Sequence, residues 1–246
     1  MKIINLIPMA GDGQRFKKEG YITPKPLIDV LGEPMIVRAI KSMPKANRNI
    51  LIVRKDQFII DDFKKLINNY FDNIEIIEIN EKTEGQASTC LIAEEYIPND
   101  SRLNIGSCDA GFIYDSKLFD KRIEFCDALI WTYRGKKIVL KNPNMYGWVK
   151  TFDNSDLVKK VSCKMPISEN PINDHVVSGA FSFKKASLFF NSIKKMIEAN
   201  DRVNNEFYVD NIFNHIKNNS IGVFEVKDHF SWGTPDELKS YIQNAN

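Results

Sequence analysis

The chain has 246 residues, 43% hydrophobic and 27% charged, the composition of a globule long enough to bury a substantial core. Lys and Arg number 34 against 32 Asp and Glu, a formal net charge of +2. That balance argues against a dedicated nucleic-acid or anionic-membrane binder, which needs a basic surplus. No stretch approaches the roughly 20 apolar residues of a transmembrane helix. Met1–Gly11 is apolar but too short, and carries no small-residue cleavage site, for a signal peptide. Cys90, Cys108, Cys126 and Cys163 form no CxxC pair, and the three His form no HxH or HExxH cluster. The expectation is a cytoplasmic protein with free thiols and no structural zinc.

Ile3–Pro8 reads as a buried strand, followed by a polar loop with two glycines. Pro34–Pro44 has helical spacing after its proline, Asn49–Arg54 reads as a strand, Asp56–Tyr70 as a helix and Asn73–Ile79 as a strand. Gln86–Tyr96 reads as a helix and Leu103–Cys108 as a strand ending at Asp109. This alternation predicts an α/β fold with a mainly parallel sheet. The middle changes character: Asp127–Tyr133, Lys136–Leu140, Tyr146–Phe152 and Leu157–Cys163 read as short strands broken by turn residues. The remainder predicts a strand at Val176–Phe183, helices at Lys184–Ala199 and Asn205–Lys217, a strand at Gly222–Val226 and a helix after Pro235. One domain over 1–246 is expected, with 1–125 as its α/β part and about 126–183 as a β-rich insert.

The informative segment is Pro8-Met9-Ala10-Gly11-Asp12-Gly13-Gln14-Arg15, with Pro24-Lys25-Pro26 after it. A loop leaving the C-terminal end of a parallel strand lies where ligands bind in open α/β sheets. Gly11 and Gly13 let the backbone approach an anion closely. Arg15 can grip phosphate with two N–H groups, and Lys25 adds a point charge. Together they suit a triphosphate. Neither the Rossmann fingerprint GxGxxG nor the P-loop spacing GxxxxGK[ST] is present.

These motifs resemble the signature of the nucleotidyltransferase family that includes sugar-1-phosphate nucleotidyltransferases and phosphocholine cytidylyltransferases. A first strand is followed by [GA]GxGxR, PKP and a Gly-x-Pro helix start, here Gly32-Glu33-Pro34. Later segments follow in the family's order: Glu84-Gly85-Gln86, Tyr146-Gly147, Cys163-Lys164-Met165-Pro166, Ser178-Gly179-Ala180-Phe181, Asn205-Glu206-Phe207-Tyr208 and Gly233-Thr234-Pro235. The resemblance implies a three-layer αβα, Rossmann-like mixed sheet of the GT-A-like nucleotidyltransferase type. It implies transfer of a nucleoside monophosphate to a phosphorylated small molecule, with CTP as the expected donor and Mg2+ as cofactor.

In residue terms it implies Arg15, Lys25 and Lys164 as catalytic cations, and Pro8, Met9, Ala10, Gly11, Asp12 and Gly13 as the phosphate loop. Asn80, Glu84, Gly85 and Gln86 would meet the base, alongside Ser107 and Cys108, and Asp109 would bind the metal. Bland readings stand beside these: Asp109 as a turn residue, Lys164 as a solvated neighbour of Lys159 and Lys160, Asn80 as a plain turn. The family's second metal carboxylate falls on Ser231, so Asp228 is the nearest substitute. For the acceptor, the resemblance offers Tyr146, Gly147 and Ser178, and location in the insert adds Arg134, Glu169 and Asp174. A homo-oligomer is allowed; nucleic acid and membrane partners are not expected.

Overall fold

A computed structural model describes residues 1–245. The first half contains β1 (Ile3–Pro8), α1 (Gln14–Lys18), β2 (Asp29–Val30), β3 (Glu33–Pro34), α2 (Met35–Ser42), β4 (Arg48–Arg54), α3 (Ile60–Asn68), β5 (Ile74–Ile79), α4 (Gln86–Leu91), β6 (Arg102–Ile105), β7 (Ala110–Ile113) and α5 (Ser116–Phe125). The second contains β8 (Ala128–Tyr133), β9 (Gly147–Thr151), β10 (Val158–Cys163), β11 (His175–Phe183), α6 (Ala186–Glu198), β12 (Ile221–Glu225), β13 (Asp228–Ser231) and α7 (Pro235–Ala245).

Nine strands form one mixed sheet. Its N-terminal part, in the order β6-β1-β4-β5, is wholly parallel. β11 runs antiparallel to β6, β8 and β9, while β12 is parallel to β8. Side chains alternate between the faces, as the two-residue strand period requires. Ile4, Leu6, Ile50 and Ile52 face α4 and α6, where they meet Ala87, Cys90, Phe189 and Ile193. Ile7, Leu51 and Val53 face the other way, onto Ile36, Val37, Phe63 and Ile67 of α2 and α3. Both faces are therefore covered, giving the expected three layers. The same alternation in β8 sends Ala128 and Ile130 to the first face, and Leu129, Trp131 and Tyr133 to a cluster under α5.

A buried polar ladder crosses the sheet between these layers. Trp131 Nε1 donates to Ser182 Oγ, Ser182 Oγ to Asn104 Oδ1, Asn104 Nδ2 to Asn5 Oδ1 and Asn5 Nδ2 to Asn49 Oδ1, all between 2.8 and 3.0 Å. Asn5 stands opposite Asn104 on one side and Asn49 on the other. A one-residue slip of β1 would strand these amides without partners, so the ladder fixes the register.

Three expectations are corrected. Lys136–Leu140 is a 3-10 turn rather than a strand. Gly135 enters it with φ of 78° and donates its N–H to Ile172 O; of the apolar side chains only Val139 is buried. One inward residue is satisfied by a turn, whatever the β-propensity of the segment. Asn205–Lys217 is not an α-helix: only Asp210–His215 coils, as a 3-10 helix. Asn204 and Asn205 adopt positive φ, and Phe207 exchanges backbone bonds with Glu84 O (2.8 Å) and Ala87 N (2.9 Å), so its peptide groups are committed to another segment. The helix expected over Gln86–Tyr96 ends at Leu91, with a 3-10 turn at Glu94–Tyr96. The sequence reading also passed over α1, α5 and the β7–β13 ribbon. No helix among the described residues is long and apolar enough to cross a membrane.

Candidate functional site

The parallel half of the sheet reverses its direction of growth at β1, with β4 on one side and β6 on the other. The loops leaving β1 and β6 diverge there and open a crevice at their C-terminal ends, the usual ligand position in such sheets. A cleft of about 290 Å³ occupies it. Pro8, Met9, Ala10, Gly11 and Gly13 form one wall, Gly85 and Gln86 a second, and Ser107, Cys108 and Asp109 the floor.

The phosphate-loop candidate is held from outside the cleft. Arg54 Nη1 donates to Ala10 O at 3.2 Å and to Asp12 Oδ1 at 2.6 Å, and its other nitrogens bind Asp56. Asp12 therefore braces the loop: the Arg54 hydrogen bond holds its carboxyl below the usual range, and its side chain belongs to the hollow next door. Gly13 has φ of 62°, the left-handed region that favours glycine. The N–H groups of Gly11, Asp12 and Gly13 find no protein acceptor among the described residues, which makes the loop a ready anion cradle.

Lys25 reaches the floor and forms an ion pair with Asp109. Burial alone would push the Asp109 carboxyl up, but the Lys25 ammonium and the Ser107 hydroxyl outweigh it and hold the group below its ordinary range. The Lys25 ammonium is stabilised in turn: burial opposes its charge, and Asp109 more than restores it. Cys108 beside them is pushed up to about 12, chiefly by burial, so its thiol stays protonated and unreactive. Arg15 is exposed on α1, near enough for its charge to act on both Lys25 and Tyr146.

The second wall explains the broken helix at Asn205. Gly85 has φ of 132°, and a Cβ there would stand 2.6 Å from Phe207 N and O. Thr83 and Thr89 hydroxyls both donate to Gly85 O at 3.0 Å. Glu84 does not face the cleft; it pairs with Arg202 at 2.9 Å, whose guanidinium lies 4.1 Å over the Phe207 ring. Asn80 is exposed and outside the lining. Lys82, Thr83, Thr89 and Glu206 line the cleft and were missed. Of these, Glu206 stood in the quoted Asn205-Glu206-Phe207-Tyr208 segment and Lys82 two residues before Glu84.

A second hollow of about 270 Å³ opens beyond Asp109 and shares Gln86, Ser107 and Asp109 with the first. Tyr146, Gly147, Lys164 and Ser178 line it. Ser178 Oγ is committed to Trp131 O at 2.9 Å. Lys164 Nζ donates to Met145 O at 2.5 Å and lies 5.0 Å over the Tyr208 ring. Tyr133 and His229 stack at 4.3 Å; burial holds the His229 imidazole down to about 4, so the ring is neutral at ordinary pH. Arg134, Glu169 and Asp174 are not in the hollow. Arg134 is exposed and paired with Glu225 at 2.6 Å, Glu169 is exposed, and Asp174 accepts from Ser168 Oγ at 2.5 Å. The insert's outer rim carries them away from the site.

Asp228 is likewise displaced from Asp109. In the β7–β13 ribbon Ser231 stands opposite Ala110, next to Asp109, while Asp228 pairs with Ile113. Three residues of strand are about 10 Å. Asp228 is instead occupied by Lys136 at 2.6 Å. The carboxylate that does approach is Glu237, from the first turn of α7. A Cβ built on Gly233 would have Asp109 Oδ2 at 3.2 Å, Glu237 Oε2 at 3.4 Å and Ser231 Oγ at 3.6 Å. Among the described residues no group of three or more His, Cys, Asp or Glu converges on one point. Two carboxylates and a hydroxyl are a hard-oxygen set of the kind that would hold Mg2+.

No protein-family model matches the chain. A curated protein, the bifunctional protein GlmU of Methanocaldococcus jannaschii, is 24% identical over 182 residues, 73% of this chain. The match spans 40% of that relative's length. Among solved structures, the nucleoside-diphosphate-sugar pyrophosphorylase of Vibrio cholerae RC9 superposes with a TM-score of 0.79 at 19% identity, covering 97% of this chain and 99% of that one. The inositol-1-phosphate CTP transferase of T. maritima gives 0.72 at 13% identity, covering 98% and 96%. At these identities the likeness is one of fold: the chain has the α/β fold of the nucleotidyltransferases, built on one central mixed sheet, with its cleft and hollow meeting at Asp109.

Proposed function

We propose that the chain is a cytidylyltransferase that joins CMP from CTP to L-glutamine phosphate, releasing pyrophosphate, in the modification of capsular polysaccharide. The observation that carries a transfer reaction is the meeting of two hollows at Asp109, one walled by an anion-cradling loop and the other by Lys164. A donor and an acceptor bound there share one reacting point. The choice of CTP is supported by the fold likeness to a CTP transferase. The choice of acceptor is supported by the resemblance of the whole sequence to the CTP:phosphoglutamine cytidylyltransferases of bacterial capsule pathways.

In the proposed reaction, a phosphoryl oxygen of the acceptor attacks the α-phosphorus of CTP in line. The new P–O bond forms as the bond to the β-phosphate breaks, and pyrophosphate leaves. The attacking oxygen is already ionised, so positioning and charge neutralisation carry the catalysis. The free N–H groups of Gly11–Gly13 hold the β- and γ-phosphates, and Arg15 and Lys82 close over them. Lys25 exchanges its contact with Asp109 for the triphosphate. Asp109 and Glu237 would hold a Mg2+ ion, which would supply Lewis-acid polarisation of the α-phosphate. Lys164 offsets the repulsion between two phosphates, about 1 kcal/mol per charge pair at 4 Å in water and several times that in a drier cleft. The neutral thiol of Cys108 has no part, since no covalent intermediate is needed.

Pyrophosphate release tests this. The purified chain with Mg2+ is offered CTP, UTP, dTTP, ATP and GTP against L-glutamine phosphate, phosphocholine and glucose 1-phosphate. Release with CTP and glutamine phosphate is the expected result. The likeness to a sugar-nucleotide pyrophosphorylase favours a second reading, a sugar-1-phosphate nucleotidyltransferase, and release with glucose 1-phosphate alone would select it. Nucleotide binding without release would indicate a non-catalytic role, with Ser231 as the residue to examine.

A further inference from the structure

The acceptor hollow contains a carboxylate that the proposed chemistry does not use. Asp210 opens the 3-10 helix Asp210–His215, is 8% exposed and lines the hollow. The Cys163 thiol and the backbone N–H groups of Asp210 and Asn211 are the polar groups that act on its carboxyl. Among the described residues no Lys, Arg or His stands within ion-pair distance of it. Lys164, the nearest cation, is held by Met145 O and the Tyr208 ring. The other carboxylate of the hollow, Asp109, already has Lys25. Gly147 is what gives Asp210 its place, because a Cβ there would overlap the Asp210 carboxylate. Burial accordingly pushes the Asp210 carboxyl up, against the weaker pull of its hydrogen bonds and of Lys164. A buried carboxylate without a counter-ion, facing an open hollow, is completed by a cation that the ligand brings.

We propose that Asp210 binds a primary ammonium group on the acceptor. The proposal rests on the cytidylyltransferase reading and names the feature of the acceptor that Asp210 selects. A primary ammonium supplies both charge and N–H donors. A sugar hydroxyl supplies a donor without the charge. A quaternary ammonium supplies the charge without a donor and needs an open aromatic face. Two of the aromatic rings lining the hollow are already engaged: His229 stacks on Tyr133 and Lys164 covers Tyr208. The α-ammonium of an amino-acid phosphate fits both requirements.

The test compares L-glutamine phosphate with its desamino analogue, N-phosphorylated glutaramate, in wild type and D210N, following pyrophosphate release with CTP and Mg2+. Wild type is expected to prefer the amino acid by about thirtyfold or more in kcat/KM, mainly through KM, as for loss of one partner of a buried charge pair. D210N is expected to lose that preference while retaining wild-type CTP affinity by calorimetry, which also reports its folding. Equal use of the two acceptors by wild type overturns the assignment whether or not D210N folds. So does a D210N enzyme that keeps the full preference. Both results leave the cytidylyltransferase reading standing. Silence of the wild type with glutamine phosphate, or turnover of glucose 1-phosphate or phosphocholine in its place, refutes that reading and the Asp210 assignment with it.

Discussion

Replacing Lys25 by Met preserves most of the side-chain volume and removes the one charge that faces Asp109 at the cleft floor. The two side chains are 18% and 25% exposed, so solvent does little to compensate. Breaking a buried pair by deleting one partner costs about 3–5 kcal/mol; with this residual exposure we take the lower end, about 3 kcal/mol, or a Tm lower by roughly 6–12 °C for a chain of this size. The pH dependence carries the diagnostic. In wild type Asp109 lies below its ordinary 3.8 when folded, so the stability it contributes is present above that value and is lost as pH falls below it. In Lys25→Met the dominant influence left is burial, which raises the folded value above 3.8. The penalty is then full at neutral pH and is relieved as pH falls through the raised value. The difference in Tm between the two proteins should therefore narrow from pH 8 to pH 5, measured by thermal unfolding in parallel. A difference that stays constant or widens on acidification would refute the electrostatic account of the pair.

Turnover should respond in the same region: Lys25→Met is expected to lose about a hundredfold or more in kcat. Gly85→Ala places a methyl group against Phe207 and forces φ of 132° on a residue with a Cβ. It should abolish nucleotide affinity in a calorimetric titration before it unfolds the chain, and unchanged CTP affinity would contradict the wall drawn here. Asn104→Leu removes a rung of the ladder and leaves the Asn5 and Ser182 polar groups unpaired, so urea unfolding should show a loss of about 2–4 kcal/mol. Glu237→Gln should raise the Mg2+ concentration needed for half-maximal turnover, whereas Asp228→Asn should leave it unchanged. The reverse order would return the second metal position to Asp228.

How much of this was written in the sequence follows from how local each feature is. The glycine loop and Asp109 could be placed because each follows a short apolar strand, and Lys25 stood out between Pro24 and Pro26. A parallel sheet with a switch point then brings the ends of β1 and β6 together without further information. The alternation of Ile50, Leu51, Ile52 and Val53 between two cores is likewise a property of one strand. What failed was non-local. The periodicity of Asn205–Lys217 favoured a helix, but Phe207 spends its backbone groups on the Gly85 loop, more than a hundred residues away. Arg134 and Glu169 were placed by membership of the insert, and membership does not say which side of a strand faces the hollow. Glu237 escaped because a carboxylate was sought at a fixed offset before Gly233, whereas Glu237 approaches that glycine from the first turn of α7. Asp210 was hidden in the segment misread as a helix.

The account's central claim is that the two hollows meeting at Asp109 carry out transfer between a nucleotide and a phosphorylated acceptor. Phosphorus NMR of the chain incubated with CTP, L-glutamine phosphate and Mg2+ tests it most directly. The account predicts that the CTP resonances give way to pyrophosphate and to a new two-phosphorus linkage joining CMP to the acceptor, with both products absent in Asp109→Ala. CTP that binds and stays intact, or that is hydrolysed to CMP with no joined product, would contradict it.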